Sequence, residues 1–268
     1  MIESLINRLE AWFQPVEGTL TAFSGGVDSA LVLYLSKHFL GDKGIGVIAD
    51  SPSLKRSDFQ LAKNFCAEFS IQLKEINTNE LEKEAYASNP INRCFHCKDT
   101  LYSMLVDLQR SYPNYYLLNG TNRDDQGDYR PGLKAASNHH VHAPLADCGL
   151  GKADVRMLAK HFDLPLWDKP ASPCLSSRIP YGNQVTLEKL QQIEAAEKVL
   201  NSHGFIEVRV RHFNTEARIE VPRHAQAKIK LLLAEIEPAI LELGFAEVTL
   251  DEEGLISGKL NRSLSNHG

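Results

Sequence analysis

A six-residue loop from Ser24 to Ser29, with the sequence Ser-Gly-Gly-Val-Asp-Ser, has residue types and spacing suited to chemistry. It follows a short apolar strand and precedes an apolar helical run, so its amide groups lie where a helix begins and where the helix dipole favours an anion. Gly25 and Gly26 allow the backbone to approach a ligand closely, and the hydroxyls of Ser24 and Ser29 can add hydrogen bonds. The pattern predicts a phosphate-binding loop.

Asp28 adds a carboxylate to this predicted phosphate site. A carboxylate beside phosphates repels them unless it binds Mg²⁺ or orients the loop, so the loop predicts a magnesium-bound nucleotide. The alternative is a plain glycine turn whose serine and aspartate side chains cap a helix. The complete six-residue pattern after a strand favours nucleotide binding over that alternative.

Three cysteines form a second candidate group. Cys94 and Cys97 have the spacing at which two thiolates reach one metal ion, and Cys174 lies in Ser-Pro-Cys-Leu-Ser-Ser-Arg. If Cys174 folds back onto the first domain, the three thiolates can hold three irons of a [4Fe-4S] cluster and leave the fourth open to a substrate or an extra sulfide. A redox dithiol, a zinc site and buried cysteines without a role are the alternatives. Cys66 and Cys148 are interpreted as structural.

Two arginines form a third candidate group. Arg209 and Arg211 alternate along a predicted strand, so both side chains project from one face of a sheet, and we expect Arg218 on the paired strand. Guanidinium groups placed in this way suit a phosphate, and Glu197 and Glu220 can orient them. The alternative is the polar, solvent-facing surface of a sheet.

The composition is that of a soluble globular protein. The 268 residues are 43% hydrophobic and 24% charged, and no apolar run approaches the length of about 18 residues that a membrane span needs. The first residues do not form a signal peptide, so we expect a cytoplasmic protein whose five cysteines are thiols or metal ligands. The net charge of −5 gives no general attraction to nucleic acid.

Strand candidates alternate with helical stretches over the first 166 residues, a pattern typical of an α/β fold in which helices cover both faces of a parallel sheet. These strands are predicted at residues 20–23, 46–49, 71–76 and 115–119. Ligands bind such sheets at the carboxyl ends of the strands, where Ser24 and residues 50–52 and 120–122 would lie. We therefore expect these three loops to share one ATP.

A proline-rich passage at residues 168–182 interrupts the alternation and predicts a loop at a domain junction. We predict a first domain over residues 1–170, a cysteine-bearing linker over 171–185 and a small α+β domain for substrate binding and oligomerisation over 186–268. The elements expected in the small domain are helices at 186–202 and 225–243 and strands at 205–212, 216–221 and 246–250.

Four segments together resemble the LarE family of ATP-dependent sulfur transferases, within the PP-loop ATP pyrophosphatase superfamily, and the resemblance spans nearly the whole chain. They are the Ser24 to Ser29 loop and residues 128–133, 173–182 and 208–211. The resemblance implies an adenine nucleotide alpha hydrolase-like PP-loop domain. Its loop residues Ser24, Gly25, Gly26, Asp28 and Ser29 would bind ATP phosphates and Mg²⁺.

The same resemblance implies a reaction. Family members act in nickel-pincer nucleotide assembly, where they adenylate the carboxylates of pyridinium-3,5-biscarboxylic acid mononucleotide and convert them to thiocarboxylates, with release of AMP and pyrophosphate. Glu197, Arg209, Arg211 and Glu220 match family positions tied to the substrate or an anion, and Cys174 matches the sulfur donor. The family also suggests a homo-oligomer.

Two routes for sulfur are open at this point. The Cys94 and Cys97 pair resembles the branch of the family in which three cysteines hold a [4Fe-4S] cluster that carries sulfide, and the other branch sacrifices the sulfur of Cys174 and leaves dehydroalanine. A tRNA thiolation enzyme, an amidating PP-loop synthetase and an adenine-nucleotide sensor are further alternatives. We expect sulfide or another sulfur donor as a partner, and neither nucleic acid nor a membrane.

Overall fold

The computed structural model describes residues 2–127, 131–256 and 258–264, and the chain forms two compact units. The first unit comprises Met1–Glu80 and Asn92–Ser172, and the second comprises Leu81–Ile91 and Pro173–Gly268. One segment used for the family resemblance includes Asp128, Tyr129 and Arg130, which lie outside the described residues.

The first unit contains a four-stranded sheet in which every pairing is parallel. Its strands are β1 (Gly18–Ala22), β2 (Gly44–Asp50), β3 (Leu73–Asn77) and β4 (Tyr115–Leu118), and their order is β3-β2-β1-β4. Because β1 lies inside the sheet, the loop that follows it opens at the carboxyl edge between neighbouring strands, where ligands bind α/β sheets. The predicted fold class, an α/β PP-loop domain followed by a small α+β domain, is confirmed.

Helices cover both faces of this sheet. Those of the first unit are α1 (Ile2–Phe13), α2 (Val27–Leu40), α3 (Arg56–Glu68), α5 (Arg93–Gln109), α6 (Pro131–Asn138), α7 (Pro144–Asp147) and α8 (Lys152–His161), while α4 (Glu84–Ala87) belongs to the second unit. One apolar cluster joins α1, α2, α3 and α8, and another joins α5 and α6 to the opposite face. Within the described ranges, no helix is both long and apolar enough to cross a membrane.

The second unit packs two helices on one face of a three-stranded sheet. Its elements are α9 (Leu187–Ser202), β5 (Arg209–Phe213), β6 (Glu216–Glu220), α10 (Gln226–Leu241) and β7 (Glu247–Leu250). β5 pairs antiparallel with β6, and β6 pairs parallel with β7. Val210, Ile219 and Val248 pack in the apolar core with both helices, so alternate residues such as Arg211 lie on the opposite, polar face.

Residues 81–91 form part of the second unit, whereas the predicted domain bounds include them in the first. Asn89 explains the difference, because it is fully buried in a left-handed conformation with φ 56°. Its side-chain amide donates to the carbonyls of Pro180 at 2.7 Å and Asn183 at 2.9 Å. The segment is thereby bonded to the proline-rich passage that contains Cys174.

Candidate active-site residues

The predicted phosphate loop connects β1 to α2. β1 ends at Ala22, Gly26 is the N-cap, and α2 begins at Val27. The first amide groups of a helix have no intrahelical acceptor, and the positive end of the helix dipole lies there. This junction therefore has the backbone arrangement that a phosphate site needs.

Gly25 allows the loop to turn. Its φ is 72°, and a β-carbon at this position would lie 3.0 Å from the carbonyl oxygen of Asp58, so a side chain would be both strained and crowded. The hydroxyl oxygens of Ser24 and Ser29 are 3.1 Å apart, and Ser29 Oγ donates to the Gly26 carbonyl at 3.1 Å. These bonds hold the two hydroxyls together within the loop.

Asp28 meets the loop that follows β4. Its carboxylate accepts a hydrogen bond from Nδ2 of the fully buried Asn122 at 3.0 Å. Burial raises the pKa of the Asp28 carboxyl, the Asn122 hydrogen bond opposes that rise, and the charge of Asp125 adds to it. A partly desolvated carboxylate is stabilised by a bound cation, and the Mg²⁺ predicted beside Asp28 stays a prediction.

The loops after β1 and β4 touch directly. A β-carbon on Gly120 would lie only 2.5 Å from the backbone nitrogen of Ser29, so the backbones approach as closely as glycine allows. The loop after β2 has a different partner, since the Ser51 hydroxyl donates to the buried Glu80 carboxylate. The prediction that residues 50–52 share the ATP with the other two loops stays a prediction.

Lys169 contacts the phosphate loop from the end of the first unit. Its ammonium donates to the Gly25 carbonyl at 2.7 Å and pairs with Asp58 Oδ1 at 2.9 Å, and Ser172 Oγ donates to Asp58 Oδ2 at 2.6 Å. The lysine brings positive charge to a loop that contains none of its own. Sequence reasoning missed Lys169 and Asp58, because no local pattern links a lysine to a glycine 144 residues away.

In the second unit, Cys174 is the N-cap of a 3₁₀ turn, Leu175–Arg178. Cys174 is exposed, and its carbonyl accepts a hydrogen bond from the Ser177 amide at 3.0 Å. Arg178, by contrast, is 1% exposed, and its Nη1 donates to the carbonyls of Pro173 at 2.8 Å and Cys174 at 3.3 Å. The turn thus combines an exposed cysteine with a buried guanidinium.

Glu197 is the partner of Arg178. Nε and Nη2 of the arginine donate to the two carboxylate oxygens at 2.8 Å and 3.2 Å, and Oε1 also accepts the Val210 amide at 3.2 Å. The sequence predicts that Glu197 orients Arg209 or Arg211. The structure pairs it with Arg178, because α9 brings the carboxylate against the 3₁₀ turn. Its charge also acts on Arg209, and the predicted orienting role stays a prediction.

Arg211 and Glu220 form a second buried ion pair, on the polar face of the sheet. The Nη2 to Oε2 distance is 2.8 Å, and both residues are almost inaccessible to solvent. Arg211 Nη1 also donates to the Ser177 carbonyl at 2.7 Å. Glu220 thus pairs with Arg211, and its role toward a substrate stays a prediction. Arg211 also ties β5 to the cysteine turn.

Arg209 is different. It is half-buried, opposite Glu220 in the register of β5 and β6, and its side chain makes no hydrogen bond or ion pair with any residue that the structure describes. Burial lowers the pKa of its guanidinium, the positive charges of Arg178 and Arg211 lower it further, and the carboxylates of Glu220 and Glu197 oppose that fall. Three guanidinium groups share two carboxylates here, and this surplus positive charge suits an anion.

The other cysteines, Cys66, Cys94, Cys97 and Cys148, lie in the first unit. Cys94 is exposed and Cys97 is partly buried, and both lie near the start of α5. Burial raises the pKa of Cys66 to about 12 and also raises that of Cys148, so neither is a good nucleophile. Among the described residues, no three His, Cys, Asp or Glu side chains form a group able to hold a metal ion, and the cluster ligands stay a prediction.

Comparison with known proteins identifies several relatives. Residues 3–98 match the NAD synthase family. The chain is 40% identical, over 99% of its length and 100% of the relative, to an uncharacterized protein of Synechocystis sp.. It is 27% identical to one chain of the glutamine-hydrolyzing GMP synthase of Saccharolobus solfataricus, over 70% of the present chain and 55% of that relative.

A further relative has a specific name. The chain is 35% identical to pyridinium-3,5-bisthiocarboxylic acid mononucleotide synthase, the LarE protein of Lactiplantibacillus plantarum, over 96% of the chain and 94% of that enzyme. This match extends through both units, whereas the match to the NAD synthase family ends within α5. The family predicted from the sequence is confirmed, and the chain belongs to the LarE family of PP-loop proteins.

Proposed function

We propose that the protein is an ATP-dependent sulfur transferase that converts the carboxylates of pyridinium-3,5-biscarboxylic acid mononucleotide to thiocarboxylates in nickel-pincer nucleotide biosynthesis. The observation that carries the proposal is the 35% identity to the Lactiplantibacillus synthase over 96% of the chain. A match confined to the phosphate loop would support ATP binding alone. A match over both units also includes the cysteine turn and the arginine face.

The first unit activates the carboxylate. Ser24, Gly25, Gly26, Asp28 and Ser29 bind the ATP phosphates, and Asp28 would hold Mg²⁺, which neutralises phosphate charge. A substrate carboxylate oxygen then attacks the α-phosphorus of ATP, the bond to the β-phosphate oxygen breaks, and pyrophosphate leaves. The product is an acyl adenylate, whose AMP leaving group makes the carboxyl carbon electrophilic. Lys169 supports this step through its contact with the Gly25 carbonyl.

The second unit binds the substrate. Arg209 binds the substrate phosphate directly, because its guanidinium lies near two buried ion pairs but makes no hydrogen bond or ion pair of its own with a described residue. Arg211 adds positive charge, while Glu220 and Glu197 act through the arginines that they bind rather than through the substrate. A bidentate contact between a guanidinium and a phosphate gives both affinity and orientation.

Two routes can deliver sulfur to the acyl adenylate, and both involve Cys174. We propose that Cys94, Cys97 and Cys174 hold a [4Fe-4S] cluster, which would supply sulfide from its open iron. The competing route consumes Cys174 itself. Its thiolate attacks the acyl carbon and AMP leaves; a base then removes the Cα proton of Cys174 and the Cβ–S bond breaks. The products are a thiocarboxylate and dehydroalanine at position 174. The additional Cys94 and Cys97 pair favours the cluster route.

The test is anaerobic purification with iron and sulfide analysis, followed by reaction with the dicarboxylate mononucleotide, MgATP and sulfide. Mass spectrometry measures the thiocarboxylate, AMP and the state of residue 174. Cys174→Ala is expected to abolish the thiocarboxylate, and Cys94→Ser is expected to abolish repeated turnover. Cys148→Ala is the matched control, since its thiol is partly buried and has a raised pKa.

The outcomes separate the candidates. Iron with an intact Cys174 after several turnovers supports the cluster route. Absence of iron, one product per chain and dehydroalanine at position 174 identify the sacrificial route. Full turnover of Cys174→Ala with ammonia would overturn sulfur transfer in favour of amidation, and a salt-dependent complex with tRNA that becomes thiolated would favour RNA modification.

A further inference from the structure

One nitrogen atom donates hydrogen bonds to three points in and beside the 3₁₀ turn that follows Cys174. Nη1 of Arg178 donates to the Pro173 carbonyl at 2.8 Å, the Cys174 carbonyl at 3.3 Å and Ser177 Oγ at 2.9 Å. These acceptors lie before, at and after the cysteine. A single buried guanidinium therefore constrains the backbone on both sides of the thiol.

The rest of the guanidinium is anchored to the core of the second unit. Glu197 accepts Nε at 2.8 Å and Nη2 at 3.2 Å, and the same carboxylate accepts the backbone amide of Val210. The turn is consequently tied to α9 and to β5 through one side chain. A second tie comes from α4, where the hydroxyl oxygens of Tyr86 and Ser176 lie 2.5 Å apart.

Stability alone does not account for this arrangement. Arg178 and Glu197 are 1% and 3% exposed, and burying two charges has a desolvation cost that apolar side chains of similar volume would avoid. The thiol of Cys174 makes no capping hydrogen bond of its own. The position of Sγ is therefore set by the backbone of the turn, and that backbone is held by the ion pair.

We propose that Arg178 is a positioning residue for Cys174, with Glu197 as its anchor. The inference rests on the proposed function for the identity of the reaction, because the geometry that matters is the approach of sulfur to the adenylated carboxyl carbon. A displacement of about 1 Å at a reacting atom can cost about 10²-fold in rate. A guanidinium with five donors can hold several backbone acceptors at once, which a lysine ammonium on a flexible stem cannot do.

Two variants test the role. Arg178→Lys keeps the charge and removes the planar donor set, and the double variant Arg178→Met with Glu197→Leu replaces the ion pair by apolar side chains that leave no buried charge unpaired. Arg218→Lys is the matched control, because Arg218 pairs with Glu216 on the same sheet and has no contact with the turn among the described hydrogen bonds. Thiocarboxylate formation, AMP formation and amide hydrogen exchange are measured on the full chain.

We expect both variants to lower thiocarboxylate formation by about 10²-fold. In Arg178→Lys, which keeps Glu197, AMP formation is expected to stay within a few-fold, so that ATP cleavage becomes uncoupled from sulfur transfer. Exchange of the Ser177 and Ile179 amides, which donate to the Cys174 and Ser176 carbonyls, is expected to quicken while β5 and β6 stay protected.

Three results would overturn the inference. The first is wild-type sulfur transfer in either variant. The second is a parallel loss of thiocarboxylate, AMP formation and protection in β5 and β6, which indicates a merely structural role. The third is unchanged exchange in the turn. If the wild-type chain forms no thiocarboxylate, the proposed function fails, but the exchange measurement still decides whether Arg178 holds the turn.

Discussion

The phosphate loop and the cysteine turn are both short segments, and they differ in how much their own side chains hold them. The loop from Ser24 to Ser29 has side-chain bonds among its own residues, such as that between the two serine hydroxyls, and distant residues reach it at Gly25 from Lys169 and at Asp28 from Asn122. The cysteine turn depends on side chains distant in sequence. Arg178 and Glu197 are 19 residues apart, and Arg211 and Ser177 are 34 residues apart.

The electrostatic arrangement differs in the same way. At the phosphate loop a partly buried carboxylate, Asp28, lies where an anion is expected, and the proposed Mg²⁺ would compensate its charge. At the cysteine turn the protein supplies its own surplus positive charge at Arg209. A loop made of backbone should be most sensitive to changes in backbone conformation, whereas a site made of ion pairs should be most sensitive to changes in charge.

Gly25→Ala is the sharpest test of the expectation that the phosphate loop depends on its backbone conformation. The substitution places a β-carbon 3.0 Å from the Asp58 carbonyl in a residue with φ 72°, so the loop must shift. Losing preorganised backbone donors around a reacting phosphate typically costs about 10²–10³-fold in rate, and we expect ATP cleavage to AMP to fall by that amount.

Gly41→Ala is its matched control. Gly41, at the end of α2, also has a positive φ, 62°. Among the described residues, and apart from its neighbours in the chain, no atom lies within 4 Å of the position that an alanine methyl group would take there. We expect the substitution to lower the melting temperature through backbone strain alone, with AMP formation close to wild type. Equal loss of AMP formation in the two variants would show that loss of folded protein, and not loop geometry, explains the Gly25 result.

Arg209→Met tests the charge half of the comparison. Removing a charge-assisted contact to the substrate phosphate costs about 1.5–3 kcal/mol, so we expect the KM for the mononucleotide to rise by about 10–100-fold with a smaller change in kcat. Folding stability should change little, because the variant removes the desolvation cost of a half-buried cation together with its attraction to Glu220 and Glu197.

Arg218→Met provides the contrast on the same sheet. Arg218 pairs with Glu216 at 2.9 Å and is partly exposed, so its loss should affect the KM little. A similar rise in KM for both variants would mean that the polar face acts through its overall charge rather than through Arg209.

The two regions also differ in how far they could be predicted from the sequence. The phosphate loop lies in one continuous window, and its glycines and hydroxyls are needed for local reasons. In the sequence, Arg178 is recognisable only as part of a motif. Its pairing with Glu197 could not be predicted, because it depends on how α9 packs against the turn. The place of residues 81–91 in the second unit is hidden from sequence reasoning in the same way, since the buried contacts of Asn89 are made with residues about 90 positions later.

One helix has a clear local sequence pattern and yet was not predicted. α1 is not among the predicted helices, although Leu5, Leu9 and Phe13 recur at the spacing of a helix face and are all buried in the core. The spacing of these apolar residues is sufficient to predict α1, whereas no periodicity in the sequence indicates the Lys169 contact with Gly25.

Asn122→Ala tests the carboxylate in the phosphate loop by pH. The Asn122 hydrogen bond opposes the rise that burial causes in the pKa of Asp28, so its removal should raise that pKa further. If ionised Asp28 is the active form, activity is lost as pH falls through this pKa, and the acidic limb of the profile for AMP formation should move to higher pH. On the alkaline plateau the rate should change by no more than about threefold, less than about 1 kcal/mol. An unmoved acidic limb would contradict the assignment.

The smallest expected effect is a change in stability with pH at His212. This residue lies on the apolar face of the sheet in the second unit and tests the effect of charge there. It is 2% exposed, its Nε2 lies 2.9 Å from Gln192 Oε1, and burial followed by the charge of Lys189 lowers its pKa to about 4. An unfolded histidine titrates near pH 6.5, so the unfolded chain binds more protons between these values. Stability is therefore retained above that range and lost as pH falls through it, by about 1 kcal/mol between pH 7 and pH 5.5. Urea denaturation of the full chain at both pH values should show this loss, and His212→Gln should reduce it. An equal loss of stability in the variant would show that the titrating group is not His212. The ion pairs of the polar face would then be the candidates for the acid sensitivity of the second unit.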